Sequence, residues 1–245
     1  YFAPLDFDTV FRTQVIGWVN IFRDKGLDWT VVKINPVWRF SFSRVRADRR
    51  GIRELYEGRL AFLFTLPEKL PVTRLLNTLM MLALVSPALF SRKSVIIQIR
   101  SAAFHRSIAA LKSLTGGRVR IIYDSRAAAA EEYLYNRKEE DQAALKVYRK
   151  LQENDRRMTE VADRVFCVSS ALADYHMKQL QDTAGSGRFV SYPGNADSWY
   201  FFYSGSLRES MRSSLGLENS FLVVYSGGLE MPWHKPELLF EFFSR

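Results

Sequence analysis

Short apolar strands alternate with longer amphipathic stretches along nearly the whole chain, and this alternation limits the fold more than any other feature. Runs rich in β-branched residues predict strands, and apolar residues at helical spacing predict helices between them. Continuous apolar strands joined by crossover helices form parallel sheets that are covered on both faces, so the sequence predicts an α/β fold. The predicted strands are 1–3, 29–34, 60–66, 94–99, 119–123, 164–168 and 188–192, and the predicted helices are 10–25, 72–90, 102–114, 131–161 and 170–181.

A turn-rich cluster at residues 193–197 interrupts this pattern and predicts a domain boundary. After it, residues 206–214 are typical of a helix and residues 221–225 of a new strand. The sequence therefore predicts a first domain at 1–203 and the beginning of a second at 204–245, too short for a full sheet.

The charge balance favours an anionic partner. Thirty-five Lys and Arg against 26 Asp and Glu give a formal net charge of +9, which suits a nucleotide, a phospholipid surface or nucleic acid. The single cysteine, Cys167, lies in an apolar strand and is predicted to be a small core residue. A lone cysteine forms no internal disulfide, so we expect a reducing, cytoplasmic environment.

The loop after the last predicted strand has the features of a phosphate-binding turn. Gly227 and Gly228 allow close approach of a ligand to the backbone, and Pro236 suits the first position of a helix. The N-terminus of that helix, with Lys235 beside it, would attract a diphosphate. A plain link between a strand and a helix explains the same residues equally simply.

Two further residues follow predicted strands and are candidates for the same ligand site. Arg126 could bind a phosphate or a carboxylate through paired N–H donors, or it could form a local ion pair with Asp124. His105 lies in the first turns of a helix, where it could reach the site or merely pack. Glu131 and Glu132 are predicted to begin the long helix, where their charge favours the helix dipole.

No metal site is predicted. Asp6 and Asp8 form an Asp-x-Asp pair, but a capping role after the first strand explains them, and no supporting cluster of ligands accompanies them. Serine-nucleophile, zinc-binding and Walker-type patterns are absent from the sequence.

Two segments bear on membranes. Residues 38–53 interleave six arginines with Trp38, Phe40 and Phe42, which suits an anionic bilayer or single-stranded nucleic acid, with a solvated mobile loop as the alternative. Residues 75–90 are apolar but shorter than a membrane span, so a buried crossover helix is predicted, with contact to a membrane surface as the alternative.

The ordered set of motifs resembles the retaining GT-B glycosyltransferases that use nucleotide sugars. Residues 164–172 are similar to the family's strand that ends in Val-Ser before a helix, and residues 192–197 with Phe201 are similar to its hinge. Residues 224–235 resemble the loop that opens the donor domain, and residues 122–126 followed by Glu131 resemble an Asp-x-Arg…Glu segment. Gly194-Asn195 inverts the family's Asn-Gly, and Leu229 and Pro236 also depart from its pattern.

This resemblance implies a Rossmann-like acceptor domain and a donor domain within which the sequence ends. It implies transfer of a sugar from a nucleotide diphosphate to a glycan or lipid-linked acceptor, without a metal or other cofactor, by an enzyme at the inner face of a membrane. Lys235, Arg126 and His105 would be the catalytic residues, and Gly227, Gly228, Lys235 and Asn195 would contact the donor. The 245 residues alone are expected to be inactive.

Two other functions stay open from the sequence. Leu229 and Pro236 are compatible with a non-catalytic GT-B-like module that docks on a membrane or on a partner protein. A nucleic-acid binder ranks last, because no motif of that class is present and no nucleic-acid partner is expected.

Overall fold

The computed structural model describes residues 1–3, 11–27, 29–135, 137, 141–181, 187–192, 202–224 and 236–244. Seven strands in this part of the chain form one sheet, and every neighbouring pair is parallel. The strands are β1 (Phe2–Ala3), β2 (Thr30–Pro36), β3 (Arg59–Thr65), β4 (Val95–Ile99), β5 (Val119–Ser125), β6 (Arg164–Cys167) and β7 (Phe189–Ser191). Their order across the sheet is β3-β2-β1-β4-β5-β6-β7.

Helices join the strands and follow the last of them. A π-helical turn at Arg12–Ile16 leads into the first helix, and 3₁₀ turns at Val37–Arg39 and Ala102–Phe104 precede two others. The described helices are α1 (Gly17–Asp24), α2 (Phe42–Leu55), α3 (Pro71–Phe90), α4 (His105–Leu114), α5 (Ala129–Leu134), α6 (Gln142–Val161), α7 (Ser170–Leu180), α8 (Gly205–Ser214) and α9 (Pro236–Ser244).

Apolar side chains are buried on both faces of the sheet. On one face, Met81 of α3, Ile108 of α4 and Met158 of α6 pack against strands β2 to β6. On the other face, Val15 in the π-helical turn and Ile52 of α2 pack against β1 and β2. The predicted α/β fold with a Rossmann-like parallel sheet is therefore confirmed for the described residues.

Several local predictions agree with the structure. Cys167 is a free and buried thiol, and the surrounding apolar packing raises the pKa of that thiol to about 12. Ser169 caps α7 by accepting a hydrogen bond from the backbone N–H of Leu172 at 3.2 Å. Gly26 ends α1 in the left-handed region at φ +80°, as its place after the helical pattern predicts.

The helix predicted over 131–161 is wrong in its extent. Its residues divide between α5 and α6, and the second begins where the Asp141 carboxylate accepts hydrogen bonds from the backbone N–H groups of Ala143 and Ala144. Such a cap starts a new helix at this point. Glu131 and Glu132 therefore lie in the first turn of the short α5 and not at the start of the long α6.

The strand predicted at 221–225 is not formed over its described residues. Residues 221–224 are irregular, and Phe221 is almost fully exposed. A strand needs a neighbour to pair with its backbone, and no described strand lies beside this segment. Tyr225 lies outside the described residues.

The arginine-rich segment is a helix rather than the mobile loop that was the alternative. Ser41 caps α2, and arginine is a good helix former. Val45, Asp48 and Ile52 recur at helical spacing and form the inner side of α2, whereas the arginines point outward.

The predicted burial of residues 75–90 is only half right. The segment is the crossover helix α3, but only its inner side, which includes Asn77, Met81 and Val85, is buried. It is the one described helix long and apolar enough to cross a membrane, with a mean hydropathy of 1.5 and only 22% of the apolar window buried.

Candidate functional site

The sheet has one topological switch point. The chain builds outward from β1 through β2 to β3 and then returns to place β4 on the other side of β1. In open parallel sheets, ligands bind outside the carboxyl ends of the strands at such a point. This switch point lies between β1 and β4. Among the described residues, those that follow β4 and its neighbour β5 are therefore the first candidates for a ligand site.

A buried carboxylate organises this point. Asp124, at the end of β5, is 2% exposed. Its Oδ2 accepts hydrogen bonds from the Tyr1 hydroxyl and from Gln98 Nε2, the latter at 3.2 Å. Burial and the adjacent carboxylate together raise the pKa of the Tyr1 hydroxyl, so this group donates at every physiological pH. One carboxylate thus ties β1, β4 and β5 together.

Arg126 is one of the predicted site residues, and it lies at this carboxylate. Its Nε donates to Asp124 Oδ1 at 2.6 Å and its Nη2 to Asp124 Oδ2 at 3.4 Å. The local ion pair considered from the sequence is therefore present. A bidentate pair fixes the plane of the guanidinium and leaves its Nη1 without a hydrogen bond to the described residues. The ion pair thus positions Arg126 and still leaves donors for a ligand.

Arg100 is a site residue that the sequence analysis missed. It follows β4 directly, and its Nη2 donates to Gln14 Oε1 at 2.5 Å. Its Nη1 is buried and has no hydrogen-bond partner among the described residues. The backbone N–H of Arg100 donates to the carbonyl oxygen of Phe2 at 3.3 Å, and Arg126 and the Tyr1 hydroxyl both bond the Asp124 carboxylate, so both arginines lie close to β1. A charged residue directly after a predicted strand is the signal that could have identified Arg100.

His105 lies in different surroundings. It begins α4, is 8% exposed, and its Nδ1 is 3.1 Å from the carbonyl oxygen of Ala102, to which it can donate. It lines a groove of about 390 Å³ between α4 and α6, together with Arg106, Glu153 and Asn154. Burial lowers the pKa of His105, so the neutral imidazole is favoured. His105 therefore contacts the helices on one face of the sheet, whereas Arg126 contacts Asp124 at the end of β5.

The remaining predicted site residues lie outside the described part of the chain. These are Asn195, Gly227, Gly228 and Lys235, and their roles stay predictions. Helix α9 does begin at Pro236, directly after Lys235, with Glu237 in its first turn. Asp6 and Asp8 are also outside, and the described residues contain no group of three or more side chains arranged to hold a metal ion.

A second polar array begins at Ser125, the residue before Arg126. The Ser125 hydroxyl is 2.8 Å from His176 Nε2, and His176 Nδ1 is 3.4 Å from Asp155 Oδ2. Asp155 Oδ1 also accepts a hydrogen bond from the Tyr123 hydroxyl at 2.5 Å.

These are the side-chain types of a serine hydrolase, but Ser125 and His176 are fully buried. A substrate carbonyl cannot reach a buried hydroxyl. We therefore assign the array to structure, because it joins β5 to α6 and α7. Its members are far apart in the sequence, so no local motif announces them.

Another groove lies at the opposite end of the strands. It has a volume of about 420 Å³ and is lined by residues at the amino ends of β4, β5 and β6, including Ile96, Arg120 and Asp163. Asp163 is already paired with Arg120 and Lys112 there. Because ligands of open parallel sheets bind at the carboxyl edge, the groove does not replace the switch point as candidate site.

Comparison with known proteins adds no family to this geometry. No protein-family model matches the sequence, and no curated protein matches it.

Proposed function

We propose that the switch point of this sheet binds an anionic ligand, and that the chain is the acceptor-side part of a retaining glycosyltransferase that uses a nucleotide-sugar donor. The observation that carries the proposal is the pair of guanidinium groups, Arg100 and Arg126, directly after adjacent strands. The buried and unpaired Nη1 of Arg100 supports it, because an unpaired buried donor is costly unless a ligand satisfies it.

Each residue has a distinct part in this proposal. Asp124 holds Arg126 in one orientation, and both arginines present N–H donors to a phosphate or carboxylate group of the acceptor or of the reacting sugar. The leaving diphosphate gains negative charge as the sugar departs. Lys235 and the N–H groups at the start of α9 neutralise that charge, and Gly227 and Gly228 allow the phosphates to approach the backbone.

The domain assignment belongs to the same proposal. Residues 1–203 form the acceptor-side domain, and residues 204–245 begin the donor domain. The ordered sequence motifs support this division, and the parallel sheet with its carboxyl-edge site is compatible with it.

A second candidate is a binding module without transfer chemistry. The exposed, irregular segment 221–224 favours it, because the glycosyltransferase resemblance predicts a strand there. The departures at Leu229 and Pro236 point in the same direction.

Titration calorimetry on a protein that contains the rest of the proposed donor domain tests the switch point with inorganic phosphate and separates the two candidates with nucleotide sugars. Arg100→Gln and Arg126→Gln should each weaken phosphate binding about tenfold or more, because each removes a charge-assisted hydrogen bond. Arg120→Gln is the matched control, since Arg120 lies on the same strand as Asp124 but at the amino edge. Its affinity should equal that of the unchanged chain.

Two results would count against the proposal. Equal affinity of the Arg100, Arg126 and Arg120 variants would remove the switch point as the site. Absence of heat with every nucleotide sugar would favour the binding module. Circular dichroism of the Arg126 variant is needed beside the titration, because that change leaves Asp124 buried without its partner.

A further inference from the structure

Helix α3 presents an apolar side to solvent. Side chains that point away from the sheet are exposed along this helix. The large ones among them are aliphatic or aromatic. They recur at helical spacing and so form one stripe: Val72, Leu75, Leu76, Leu79 and Phe90. The sequence has no charged residue between Arg74 and Arg92. A soluble surface rarely leaves a patch of this kind uncovered.

A cluster of exposed aromatic residues lies at the amino end of this helix. Trp38, in the 3₁₀ turn after β2, is 62% exposed, and Phe42, the first residue of α2, is 81% exposed. The Phe40 ring contacts Phe42 at 4.6 Å and Phe64 of β3 at 5.2 Å, measured between ring centroids.

The aromatic residues and the start of α3 lie at the same end of the sheet, at the carboxyl ends of β2 and β3. Phe64 is two residues before Leu66, whose backbone N–H and carbonyl are both bonded to the Asn77 side chain of α3 at 2.9 Å. Exposed Leu70 and Val72 follow on the α3 side. We call the combined surface the apolar corner; it comprises Val37, Trp38, Phe40, Phe42, Leu70 and Val72, with the stripe of α3 leading away from it.

Cationic side chains border the apolar corner. Arg39 and Lys69 are exposed within it, one after β2 and the other after β3. Helix α2 carries Arg46, Arg49 and Arg50 on its outer side, and none of these three forms an ion pair with a described carboxylate. The surface thus combines exposed apolar side chains with positively charged side chains around them.

The chemistry of this surface selects one kind of partner. Bases of a nucleic acid would stack on the aromatic rings but would gain nothing from the leucine stripe. A second copy of the chain would bring another positive border against the first, at a net charge of +9 per chain. An anionic bilayer satisfies both parts, because the acyl region receives the apolar side chains and the headgroups receive the cations.

Helix α3 cannot serve as a span. It connects β3 to β4 of the same sheet, and its inner side, with Met81 and Val85, packs in the core. Placing it across a bilayer would place the sheet there as well. It can only lie along the membrane surface, with its outer stripe toward the lipid.

We propose that the apolar corner and the outer stripe of α3 form a docking surface for an anionic lipid bilayer. None of its residues belongs to the candidate ligand site, so the inference stands whether or not the chain takes part in glycosyl transfer.

Vesicle sedimentation tests the surface. The chain should bind vesicles of mixed phosphatidylcholine and phosphatidylglycerol, and binding to phosphatidylcholine alone should be weaker by about tenfold or more. Trp38→Ser with Phe42→Ser, and separately Leu75→Gln with Leu79→Gln, should each reduce partition into the mixed vesicles by about tenfold or more.

The matched control is Leu207→Gln with Met211→Gln on α8. These residues have the same spacing of four as Leu75 and Leu79, and both are 59% exposed. This variant should bind as the unchanged chain does. All the substituted side chains are exposed, so thermal unfolding should be unaltered in every variant.

Depth of insertion gives a second readout. Brominated lipids should quench part of the tryptophan fluorescence, and Trp38→Phe should remove that part.

Equal partition of the corner, stripe and control variants would overturn the proposal, as would equal binding to neutral and anionic vesicles. A dimer that dissociates only in the Leu75/Leu79 variant would assign the stripe to a second copy. Binding of single-stranded RNA lost only in the Trp38/Phe42 variant would assign the corner to nucleic acid.

Discussion

At the scale of single residues, His176 and Asp155 have opposite dependences on pH. Burial lowers the pKa of His176 from 6.5 to about 4, so the folded chain resists a proton that the unfolded chain accepts. The contribution of His176 to stability is therefore present above pH 6.5 and is lost as the pH falls toward 4. Burial raises the pKa of Asp155 from 3.8 to about 6, so its contribution is present below pH 3.8 and is lost as the pH rises through 6.

The two dependences should separate when one partner is replaced. In Asp155→Asn, the unfolding free energy should rise with pH between about 4 and 6 more steeply than in the unchanged chain, because only the His176 contribution remains. In His176→Gln it should rise less steeply or fall. Urea denaturation at a series of pH values measures both slopes, and the groups common to all three proteins cancel in the differences. Identical slopes in the three proteins would show that the array does not titrate as described.

Residue by residue, the sequence identifies only part of the candidate site. Arg126 is predictable because it follows an apolar strand and has a carboxylate two positions earlier. Arg100 follows its strand in the same way, yet nothing local distinguishes it from a solvated arginine. Its significance depends on the neighbour of β4 across the switch point, which is β1, and on the hydrogen bond to Gln14. Such information is tertiary and is not carried by local spacing.

At the scale of elements, one buried ion pair attaches α2 to the sheet. Lys33 Nζ of β2 lies 3.2 Å from Asp48 Oδ2 of α2, and both residues are buried. Lys33 Nζ also donates to Asn35 Oδ1 at 3.3 Å, whereas Asp48 Oδ2 accepts no hydrogen bond of good geometry among the described residues, so Asp48 Oδ2 interacts with Lys33 through charge attraction. This pair also explains why the helix escaped prediction, since a charged residue occupies a position on its buried side.

Removing one member of this pair should destabilise the protein more than removing both. Asp48→Ala removes the carboxylate of α2 from beside the buried Lys33 ammonium, which keeps its 3.3 Å hydrogen bond to Asn35 Oδ1, and we expect a loss of about 3 kcal/mol of unfolding free energy. The double variant Lys33→Met with Asp48→Leu replaces both groups by apolar side chains, and its loss should be smaller than that of Asp48→Ala. Chemical denaturation measures both. A double variant at least as unstable as Asp48→Ala would contradict this account of the ion pair.

Helix and strand positions are otherwise largely predictable from periodicity, and the exceptions have local causes. Asp141 starts a new helix within the single helix that periodicity predicts, because its carboxylate accepts hydrogen bonds from two backbone N–H groups. The apolar run at 221–224 has strand composition but no strand beside it among the described residues. The outer side of α3 shows what hydropathy alone leaves undecided. An apolar pattern predicts that a surface is covered, but it does not say whether protein or a membrane covers it.

At the scale of the whole molecule, the docking surface and the candidate site share one edge of the sheet. The apolar corner lies at the carboxyl ends of β2 and β3, and Arg100 and Arg126 follow β4 and β5 at the same edge. In a parallel sheet these ends all point the same way. A chain docked through the corner and the stripe would therefore hold the switch point beside the membrane surface, where an acceptor linked to a lipid would be found.

Lys235 provides the sharpest test of the proposed transfer chemistry. If it neutralises the leaving diphosphate, Lys235→Ala should reduce the rate of sugar transfer about a hundredfold or more in a protein that contains the rest of the proposed donor domain, because the charge develops only as the bond breaks. The loss should appear in kcat more than in KM, since a group that acts mainly in the transition state contributes little to ground-state binding. Lys178→Ala, at the last turn of α7, is the control and should retain full activity. Release of nucleoside diphosphate, followed with a coupled assay, measures both variants. Unchanged kcat in Lys235→Ala would exclude the lysine from the mechanism, whereas a rise in KM alone would assign it to donor binding.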